Sequence, residues 1–457
     1  MTEQIIIRDC AIATVDADGN EHASGHIVIE DGVITAIGEG PPAAGETAHT
    51  IEGGGLLATP GLVNCHHHLY QWSTRGYAQD EDLFHWLVAL YPRWALIDSD
   101  VQAAAATAGL AALLLSGCST ATDHHYLFPS DGGDLLAIEV EAALGLGVRF
   151  HPCRGSMDLG KSQGGLPPDE VVEDRDAILE ATSQAIDRYH DTSAGAMTRI
   201  AVAPCSPFSV TEALMTESAQ LARSRGVRLH THLAETIDEE QFCRERFGCR
   251  PVEYLERLDW LGDDVWLAHC VHINASEVAR FGDTRTGVAH CPSSNGRLAA
   301  GIAPVRELLR AGTHVGLGVD GAASNEAGEL AGELRQALLY ARLKDGPAAL
   351  TARDALALGT IHGAHCLGRG DEIGSLEVGK RADIALWRID DIWHAGIDDP
   401  VAALVLGAAP RVHTLLVEGR VVVEGRELRT ASEQAIAHDL RAQSSRLAER
   451  ARSAGIV

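Results

Sequence analysis

The sequence has few basic residues for its length. Its 457 residues include 37 lysines and arginines against 64 aspartates and glutamates, and the formal net charge is −27. Binding to nucleic acid or to an anionic membrane surface requires a basic face. The composition therefore disfavours both kinds of partner, whereas it is compatible with a small neutral substrate.

Long apolar runs and targeting patterns are also missing. No run of about 18 apolar residues predicts a transmembrane helix, and the N-terminus lacks the basic and apolar regions of a secretory signal. The ten cysteines form no CxxC pair and do not resemble the disulfide framework of a small domain. We therefore expect reduced thiols in a cytoplasmic enzyme, and a homo-oligomer stays open.

Several common catalytic motifs are absent. The chain has no His-Glu-x-x-His of a zincin, no Pro-Cys-x-x-Cys of the cytidine-deaminase fold, no G-x-S-x-G elbow and no P-loop lysine motif. What it has in excess is histidine, with 22 copies, several of them in tight clusters.

The middle of the chain alternates strand-like and helical segments. The predicted strands are 62–66, 119–123, 148–153, 199–203, 227–232, 265–269, 287–291 and 315–320, and helices such as 99–115, 212–225, 251–258, 305–311 and 329–344 separate most of them. Strict alternation favours a parallel sheet, and eight repeats in about 300 residues suit a (β/α)8 barrel. Catalytic residues of such barrels lie at the carboxyl ends of the strands.

Both ends of the chain have the texture of short antiparallel strands. Asp31-Gly32 separates two apolar runs, as in a hairpin, and Glu418-Gly419 does the same near the other end. We expect an α/β fold with a TIM-like barrel at 59–365 and a small β-sandwich domain built from residues 1–58 and 366–430. Residues 431–457 are expected to form a helical tail.

The first histidine cluster follows the first barrel strand. In an extended segment, residues i and i+2 point to the same side, so His66 and His68 can face one point while His67 faces away. Two neutral imidazoles on one side form half of a site for a divalent transition metal. Taken alone, the cluster also fits surface histidines on a loop.

A second His-x-His ends the predicted strand 227–232. His232 could supply a third ligand, and Glu235, three residues on, would lie over the metal as a proton carrier. His230 lies one pleat deeper, and we expect it to pack or to brace its neighbours.

Two further strands end in His269 and Asp320. Taken singly, His269 could be a hydrogen-bonded core histidine and Asp320 could be a helix cap. Together, four of eight strands end in the residue types of a site with three histidines and one aspartate, accompanied by an extra glutamate and histidine. Nitrogen and oxygen ligands of this kind favour one Zn²⁺, with Fe²⁺ or Mn²⁺ possible.

At these residues the chain resembles the amidohydrolase superfamily over nearly its whole length. The resemblance rests on the stretch from Pro60 to His68, the His-x-x-Glu at 232–235, His269, the Gly-Val-Asp-Gly-Ala-Ala-Ser-Asn at 318–325 and the segment 374–383. It is similar to the branch of aromatic-ring deaminases and triazine hydrolases. The resemblance implies one metal held by His66, His68, His232 and Asp320, with Glu235, His269 and Asp320 as catalytic residues.

Two departures from the family pattern concern the metal. His67 stands where a small residue is more usual, and the chain has no lysine where binuclear relatives carry a carboxylated one. The second departure favours the mononuclear branch.

The segment from Pro152 to Asp169, together with Leu69-Tyr70-Gln71, is similar to oxopurine deaminases of that branch. It implies hydrolytic deamination of a free oxopurine, 8-oxoguanine first, with isoxanthopterin, guanine or a hydroxylated triazine as alternatives. From another class, a non-catalytic scaffold on the same fold stays open.

Three residues outside the catalytic set are candidates for substrate contact. Arg154 is a fixed donor that suits a carbonyl oxygen, Gln71 offers a donor and an acceptor, and Trp72 could stack on a planar ring. Arg154 in a structural ion pair and Trp72 in the core are the alternatives.

Overall fold

The computed structural model describes residues 4–42 and 49–456. It contains a closed barrel of eight strands, a nine-stranded sheet and a two-stranded bridge between loops of the barrel. The strands are β1 Gln4–Ala13, β2 Glu21–Glu30, β3 Val33–Glu39, β4 His49–Glu52, β5 Leu56–Pro60, β6 Leu62–Asn64, β7 His67–His68, β8 Cys118–His125, β9 Arg149–Ser156, β10 Ala201–Pro204, β11 Arg228–Leu233, β12 Val265–His269, β13 Gly287–His290, β14 Val315–Leu317, β15 Asp320–Gly321, β16 Ile384–Arg388, β17 Thr414–Val417, β18 Arg420–Glu424 and β19 Glu427–Leu428.

Helices separate most of the barrel strands. They are α1 Leu83–Trp94, α2 Ser99–Leu115, α3 Leu135–Leu146, α4 Arg175–Tyr189, α5 Glu212–Arg225, α6 Ile237–Phe247, α7 Pro251–Arg257, α8 Ala275–Thr284, α9 Pro292–Arg297, α10 Val305–Arg310, α11 Leu330–Asp345, α12 Ala352–Ala357, α13 Gly363–Cys366, α14 Pro400–Leu406 and α15 Glu433–Ser453. A short 3-10 helix, Leu69–Thr74, follows the first histidine cluster.

The barrel is built from parallel strands that close on themselves. The order around it is β6, β8, β9, β10, β11, β12, β13 and β14, and the pair Leu317 and Asn64 completes the ring. These strands are almost entirely buried, as expected when helices cover the outside and side chains fill the inside. The predicted barrel of eight strands is confirmed.

Several strand ends differ from the prediction, and two of these differences concern the site. β8 continues to His125, two residues past the predicted end, and β14 ends at Leu317, before Asp320. Asp320 instead begins β15, which pairs with β7 so that Asp320 lies opposite His67. The polar residues of the site therefore extend beyond the barrel ladder into short pairings of their own.

The strands from both chain ends form one sheet, as the sequence predicts. Its order is β19, β18, β17, β16, β5, β1, β2 and β3, with β4 paired to β1. The hairpin between β2 and β3 turns at Asp31 (φ +50°) and Gly32 (φ +77°), and Glu418 (φ +54°) with Gly419 (φ +74°) joins β17 to β18. Two successive positive φ values are typical of turns whose twist matches that of the strands they join.

The C-terminal helix packs on the barrel. α15 contacts α2, and Arg446 and Arg450 both form ion pairs with Asp98 at 2.7 and 2.6 Å. Asp98 also accepts a hydrogen bond from the backbone N–H of Val101 and thereby caps α2. One carboxylate thus stabilises the start of one helix and fixes the position of another.

The ten cysteines are buried free thiols. Within residues 4–42 and 49–456, no helix is both long enough and apolar enough to cross a membrane.

Candidate metal centre and active site

Three histidines and one aspartate meet at the carboxyl end of the barrel. The Nε2 atoms of His68 and His232 lie 3.1 Å apart. Oδ1 of Asp320 lies 3.5 Å from Nε2 of His66 and 3.3 Å from Nε2 of His68. All four residues lie within the barrel interior, and Asp320 is only 5% exposed.

Hydrogen bonds behind His66 fix its tautomer. Nδ1 of His230 lies 2.8 Å from the carbonyl oxygen of Trp266, which can only accept, so this Nδ1 carries the hydrogen. Nε2 of His230 is then the acceptor for Nδ1 of His66 at 2.8 Å. It follows that Nε2 of His66 presents a lone pair, and this buried atom has no hydrogen-bond partner in the described part of the chain. The expectation that His230 braces its neighbours agrees with this contact.

The other two imidazoles are oriented in the same way. Nδ1 of His68 donates to the carbonyl oxygen of His124 at 2.8 Å, and Nδ1 of His232 donates to that of Cys205 at 2.7 Å. Each therefore presents an Nε2 lone pair to the same point. Burial also holds the pKa of both His66 and His232 well below the usual value, so neither imidazole is protonated near neutral pH.

The residues fit a divalent metal. Ligands at about 2.0–2.1 Å from zinc in a tetrahedral arrangement lie about 3.3 Å from one another, and the three distances above are 3.1, 3.3 and 3.5 Å. Three lone pairs and a carboxylate that face one another repel in the absence of a cation. His66, His68, His232 and Asp320 could therefore hold one metal ion.

Asp320 is held by hydroxyl groups as well as by backbone. Its Oδ2 accepts from Oγ of Ser294 at 2.6 Å and from Oγ of Ser324 at 3.3 Å. Its Oδ1 also accepts from the backbone N–H of Gly321 at 2.7 Å. Burial opposes ionisation of Asp320, but these donors to both of its oxygens favour the carboxylate. Its φ of +60° is rare for a non-glycine residue and is found most often where a functional site imposes it.

Glu235 and His269 lie beside this group. Nε2 of His269 is 3.5 Å from Oε2 of Glu235 and 4.0 Å from Oδ2 of Asp320. Nδ1 of His269 lies 3.0 Å from Oδ1 of Asn295, which accepts its hydrogen. Burial, together with the nearby charges of Asp320 and Glu239, raises the pKa of Glu235 well above its usual value. These effects favour the protonated form of Glu235.

A second buried glutamate positions Glu235. The carboxylate of Glu239 accepts from the backbone N–H groups of Ala234 at 2.7 Å and of Glu235 at 3.0 Å. Ala234 has a φ of +50°, so the chain turns sharply where β11 ends. Sequence reasoning missed Glu239, although its position four residues after Glu235, at the start of a helix, is compatible with such a contact.

A cavity opens over the metal-binding residues. The polar lining comes from His68, Gln71, Tyr126, Ser206, His232, Glu235, His269 and Asp320, and the apolar walls from Leu83, Trp86, Leu87, Tyr91, Phe208 and Leu298, with Cys205 between them. Several of the wall residues come from α1, which the sequence gave no reason to connect with the site.

Gln71 is the one predicted substrate-binding residue that lines this cavity. Its Oε1 accepts from the backbone N–H of Ala323 at 3.3 Å, which leaves the amide NH2 as a donor. The side chain lies against the backbone of Gly321, where a β-carbon would overlap the amide. The small residues after Asp320 therefore make room for Gln71.

The structure does not bring Trp72 or Arg154 to the cavity. Trp72 packs against Gly109 and Gly328, and its Nε1 donates to His67. Arg154 forms a bidentate ion pair with Glu173, with nitrogen–oxygen distances of 2.8 and 3.1 Å. Its guanidinium also lies 3.5 Å from the ring centre of Phe128. These contacts agree with the structural alternatives that the sequence left open, Trp72 in the core and Arg154 in an ion pair.

His124 was missed by sequence reasoning. A ligand atom of His124 lies within 4.8 Å of those of His66, His68 and His232, and its ring stacks on that of His232 at 4.8 Å. Its Nε2 donates to the carbonyl of Ala203, while its Nδ1 is buried without a partner among the described residues. The reason for the omission is that β8 continues two residues beyond its predicted end.

A buried network supports the segment that carries His68. Asp123 accepts from the backbone N–H of Leu69 at 2.6 Å, and Nδ1 of His125 lies 2.8 Å from Oε1 of Glu139. Nε2 of His125 donates to the carbonyl oxygen of Leu127 at 2.7 Å, whereas its Nδ1 has no hydrogen-bond partner in the described part of the chain. Burial raises the pKa of Glu139 to about 8 and lowers that of His125 to about 4, which favours a protonated Glu139 beside a neutral His125.

Comparison with known proteins places this geometry in a family. The model of the amidohydrolase family matches residues 57–422. An 8-oxoguanine deaminase of Pseudomonas aeruginosa is 48% identical over 91% of this chain and 94% of its own. An isoxanthopterin deaminase from an unknown prokaryotic organism is 38% identical over 85% of each chain.

Comparison with solved structures points to the same family. Atrazine chlorohydrolase from Arthrobacter aurescens TC1, crystallised with zinc, superposes with a TM-score of 0.91 at 36% identity, over 96% of this chain and 100% of the other. The protein is accordingly a metal-dependent hydrolase that acts on C–N bonds and uses a single divalent metal, for which zinc is the first candidate. The resemblance noted in the sequence is confirmed, and the chain belongs to the amidohydrolase family.

Proposed function

We propose that the protein deaminates a free oxopurine base, 8-oxoguanine first, to urate with release of ammonia. The observation that carries the proposal is the buried carboxyl group of Glu235, 3.5 Å from His269 and next to a cluster of residues that could hold a metal, in a cavity whose walls are largely apolar. The 48% identity to an 8-oxoguanine deaminase over nearly the whole chain supports the substrate class.

The residues that would hold the metal are His66, His68, His232 and Asp320. When bound in such a site, a divalent metal supplies hydroxide as nucleophile at neutral pH. Asp320 accepts a proton from the attacking water, since its carboxylate is ionised and lies among the three imidazoles. His269, held by Asn295, orients the nucleophile and stabilises the charge that develops at the attacked carbon.

Glu235 acts on the substrate. It gives its proton to the ring nitrogen next to the attacked carbon, so that the electrons of the C=N bond move to that nitrogen as the new C–O bond forms. The exocyclic amine then takes the proton that Asp320 accepted from water and leaves as ammonia. The hydroxyl group on the attacked carbon returns its proton to Glu235, and a carbonyl group remains. Neither Glu235 nor Asp320 recognises the rest of the ring, so the catalytic residues alone do not select the substrate.

The walls of the cavity recognise the rest of the substrate ring. Trp86, Tyr91 and Phe208 provide apolar and aromatic surface for a flat ring, and the NH2 of Gln71 suits a carbonyl oxygen of an oxopurine. The net charge of −27 disfavours nucleotide phosphates but not a neutral base.

The test is an ammonia-release assay on zinc-loaded protein with 8-oxoguanine, guanine, isoxanthopterin and hydroxyatrazine. We expect the highest kcat/KM for 8-oxoguanine. A site that hydrogen-bonds a polar group can reject an analogue without it by up to about 10⁴-fold, so guanine, which has no oxygen at C8, should be slower. If isoxanthopterin or hydroxyatrazine is the best substrate, the last with ethylamine release, the purine assignment is wrong.

The same assay separates an enzyme from a non-catalytic scaffold. A scaffold would bind zinc and turn over none of these compounds. The presence of Glu235 and His269 beside the metal-binding residues supports the enzyme, because a scaffold needs neither.

A further inference from the structure

A second cavity lies at the opposite end of the barrel from the metal-binding residues. Its volume is about 250 Å³. It lies at the amino ends of β9, β10 and β11, and its polar lining comes from His151, His190, Thr192, Arg199 and Arg228. Barrel enzymes carry their chemistry at the other end, so this cavity does not belong to the active site.

His151 faces this cavity without a partner. The side chain is 1% exposed, and neither ring nitrogen has a hydrogen-bond partner among the described residues. Burial and the neighbouring cations, Arg369 first, hold the pKa of His151 well below its usual value, so the ring is neutral and keeps one N–H donor. A buried polar group without a partner costs about 1–3 kcal/mol and so points to a missing ligand or water.

Arg228 brings positive charge to the same cavity. Its Nε donates to the carbonyl of Cys366 at 2.9 Å and its Nη2 to that of Asp263 at 2.5 Å. In the part of the chain that the structure describes, no carboxylate lies within ion-pair distance of it. The two nearby acids have other partners, since Asp263 pairs with Arg285 and Asp264 with Arg223.

The other charged groups near the cavity have partners of their own. Arg199 and Arg369 share one carboxylate, that of Glu372, at 2.5 and 3.1 Å. Nδ1 of His190 accepts from the backbone N–H of Ile200 at 3.0 Å, so its Nε2 carries a hydrogen and is a donor. The exposed Asp191 contributes one negative charge near Arg199 and His190, and its Oδ1 accepts from the backbone N–H of Ser193. Arg228 is therefore the cation of this cavity that lacks a direct anionic partner among the described residues.

We propose that this cavity binds a phosphate dianion, either inorganic phosphate or the phosphoryl group of a small metabolite, between Arg228, Arg199, His190 and His151. The two guanidinium groups offer charge-assisted hydrogen bonds, and the two imidazoles offer one neutral donor each. The unprotonated oxygens of a phosphate dianion accept from all four groups, and its charge complements that of Arg228. Water would satisfy His151 but would leave Arg228 without an anionic partner.

The cavity is larger than a single phosphate group, so it can also hold the rest of a small phosphorylated metabolite. Because the cavity and the active site lie at opposite ends of the barrel, occupation of one leaves the other accessible. The site is therefore a place where a phosphorylated compound can stabilise the protein without competing with its substrate.

The test is isothermal titration of the zinc-loaded protein with inorganic phosphate and, separately, with ribose 5-phosphate, at constant ionic strength set with chloride. We expect saturable binding of one equivalent that survives a saturating active-site inhibitor. Tighter binding of ribose 5-phosphate assigns the site to a metabolite phosphoryl group, and tighter binding of phosphate assigns it to the free ion.

Variants decide where the anion lies. Arg228→Met should weaken binding by about tenfold or more, since it removes a charged donor, and His151→Leu should weaken it less. Arg441→Met, which removes an exposed arginine of α15, is the matched control and should bind as the wild type does. If Arg228→Met fails to fold, Arg228→Lys with His151→Leu provides the comparison. The proposal fails if the wild type shows no saturable binding, or if binding is unchanged in the His151 and Arg228 variants, because the anion then lies elsewhere.

Discussion

At the scale of single residues, the histidine tautomers carry most of the functional information. Each of the three imidazoles at the centre donates from Nδ1, to His230, His124 or Cys205, and so presents Nε2 to a common point. His67 lies between two of them but takes no part, since its Nδ1 accepts from the backbone N–H of His68. A site of this kind binds metal through atoms that are fixed before the metal arrives.

Glu235→Gln tests the proton carrier. Glutamine keeps the size and reach of the side chain but cannot pass a proton, and general acid–base catalysis is worth about 10²–10⁴-fold. We expect kcat for 8-oxoguanine to fall at least about 100-fold, with one zinc per chain retained. Steady-state kinetics and elemental analysis of the same sample check this. Loss of zinc would instead make Glu235 a ligand and would contradict its assigned role.

Arg154→Met tests whether Arg154 is structural. Its guanidinium is 4% exposed and pairs with Glu173 over the ring of Phe128, outside the cavity. Loss of such a partly buried pair should cost about 2 kcal/mol of unfolding free energy, measured by urea denaturation. The ratio of kcat/KM between 8-oxoguanine and guanine should not change. A selective loss of 8-oxoguanine turnover at unchanged stability would show direct substrate contact.

Residue positions in the site were predictable where strand periodicity determines them. His66, His68, His232, His269 and Asp320 follow barrel strands, and the structure brings all five together. Contacts that depend on packing between distant elements were not predictable. From sequence position alone, Gln71, Trp72 and Arg154 were equally good candidates for substrate contact. The fold distinguishes them, because only Gln71 lines the cavity.

At the scale of elements, the barrel strands and several helices were predicted closely because their patterns are local. The predicted helices 99–115 and 212–225 have those bounds in the structure, since Asp98 and Thr211 cap them. Strand ends at the site were less predictable. The short strands β7 and β15 lie outside the barrel and pair with each other, so that Asp320 lies opposite His67. No local sequence pattern predicts this pairing.

Gly321→Ala tests the contact between that bridge and the cavity. A β-carbon at residue 321 would overlap the amide of Gln71 and displace it. We expect kcat/KM for 8-oxoguanine to fall by about tenfold or more, the effect of one lost hydrogen bond, with zinc content unchanged.

Gly54→Ala is the control for this variant, because nothing lies within 4 Å of its added β-carbon. It should match the wild type. Wild-type kinetics in Gly321→Ala would mean that Gln71 does not contact the substrate.

At the scale of the whole molecule, buried acids make stability depend on pH. The pKa of Glu139 is raised to about 8, so the folded state keeps a proton that the unfolded chain loses above its ordinary pKa of about 4.5. The stabilisation from this group is complete below that lower value and is lost as the pH rises towards 8.

Glu139→Gln removes that titration while keeping a neutral side chain of similar size. The unfolding free energy of the wild type minus that of the variant, measured by urea denaturation at pH 5, 6.5 and 8, should fall as the pH rises. Other titrating groups are common to both proteins and cancel in the difference. A difference that stays constant or grows would place the proton elsewhere in the network.

The most direct test of the account is a crystal structure of the zinc-loaded protein with anomalous scattering data. We predict one zinc per chain, within about 2.0–2.2 Å of Nε2 of His66, His68 and His232 and of an oxygen of Asp320, with Glu235 uncoordinated. A zinc bound by His124 in place of Asp320, a second zinc in the centre, or coordination by Glu235 would contradict the account.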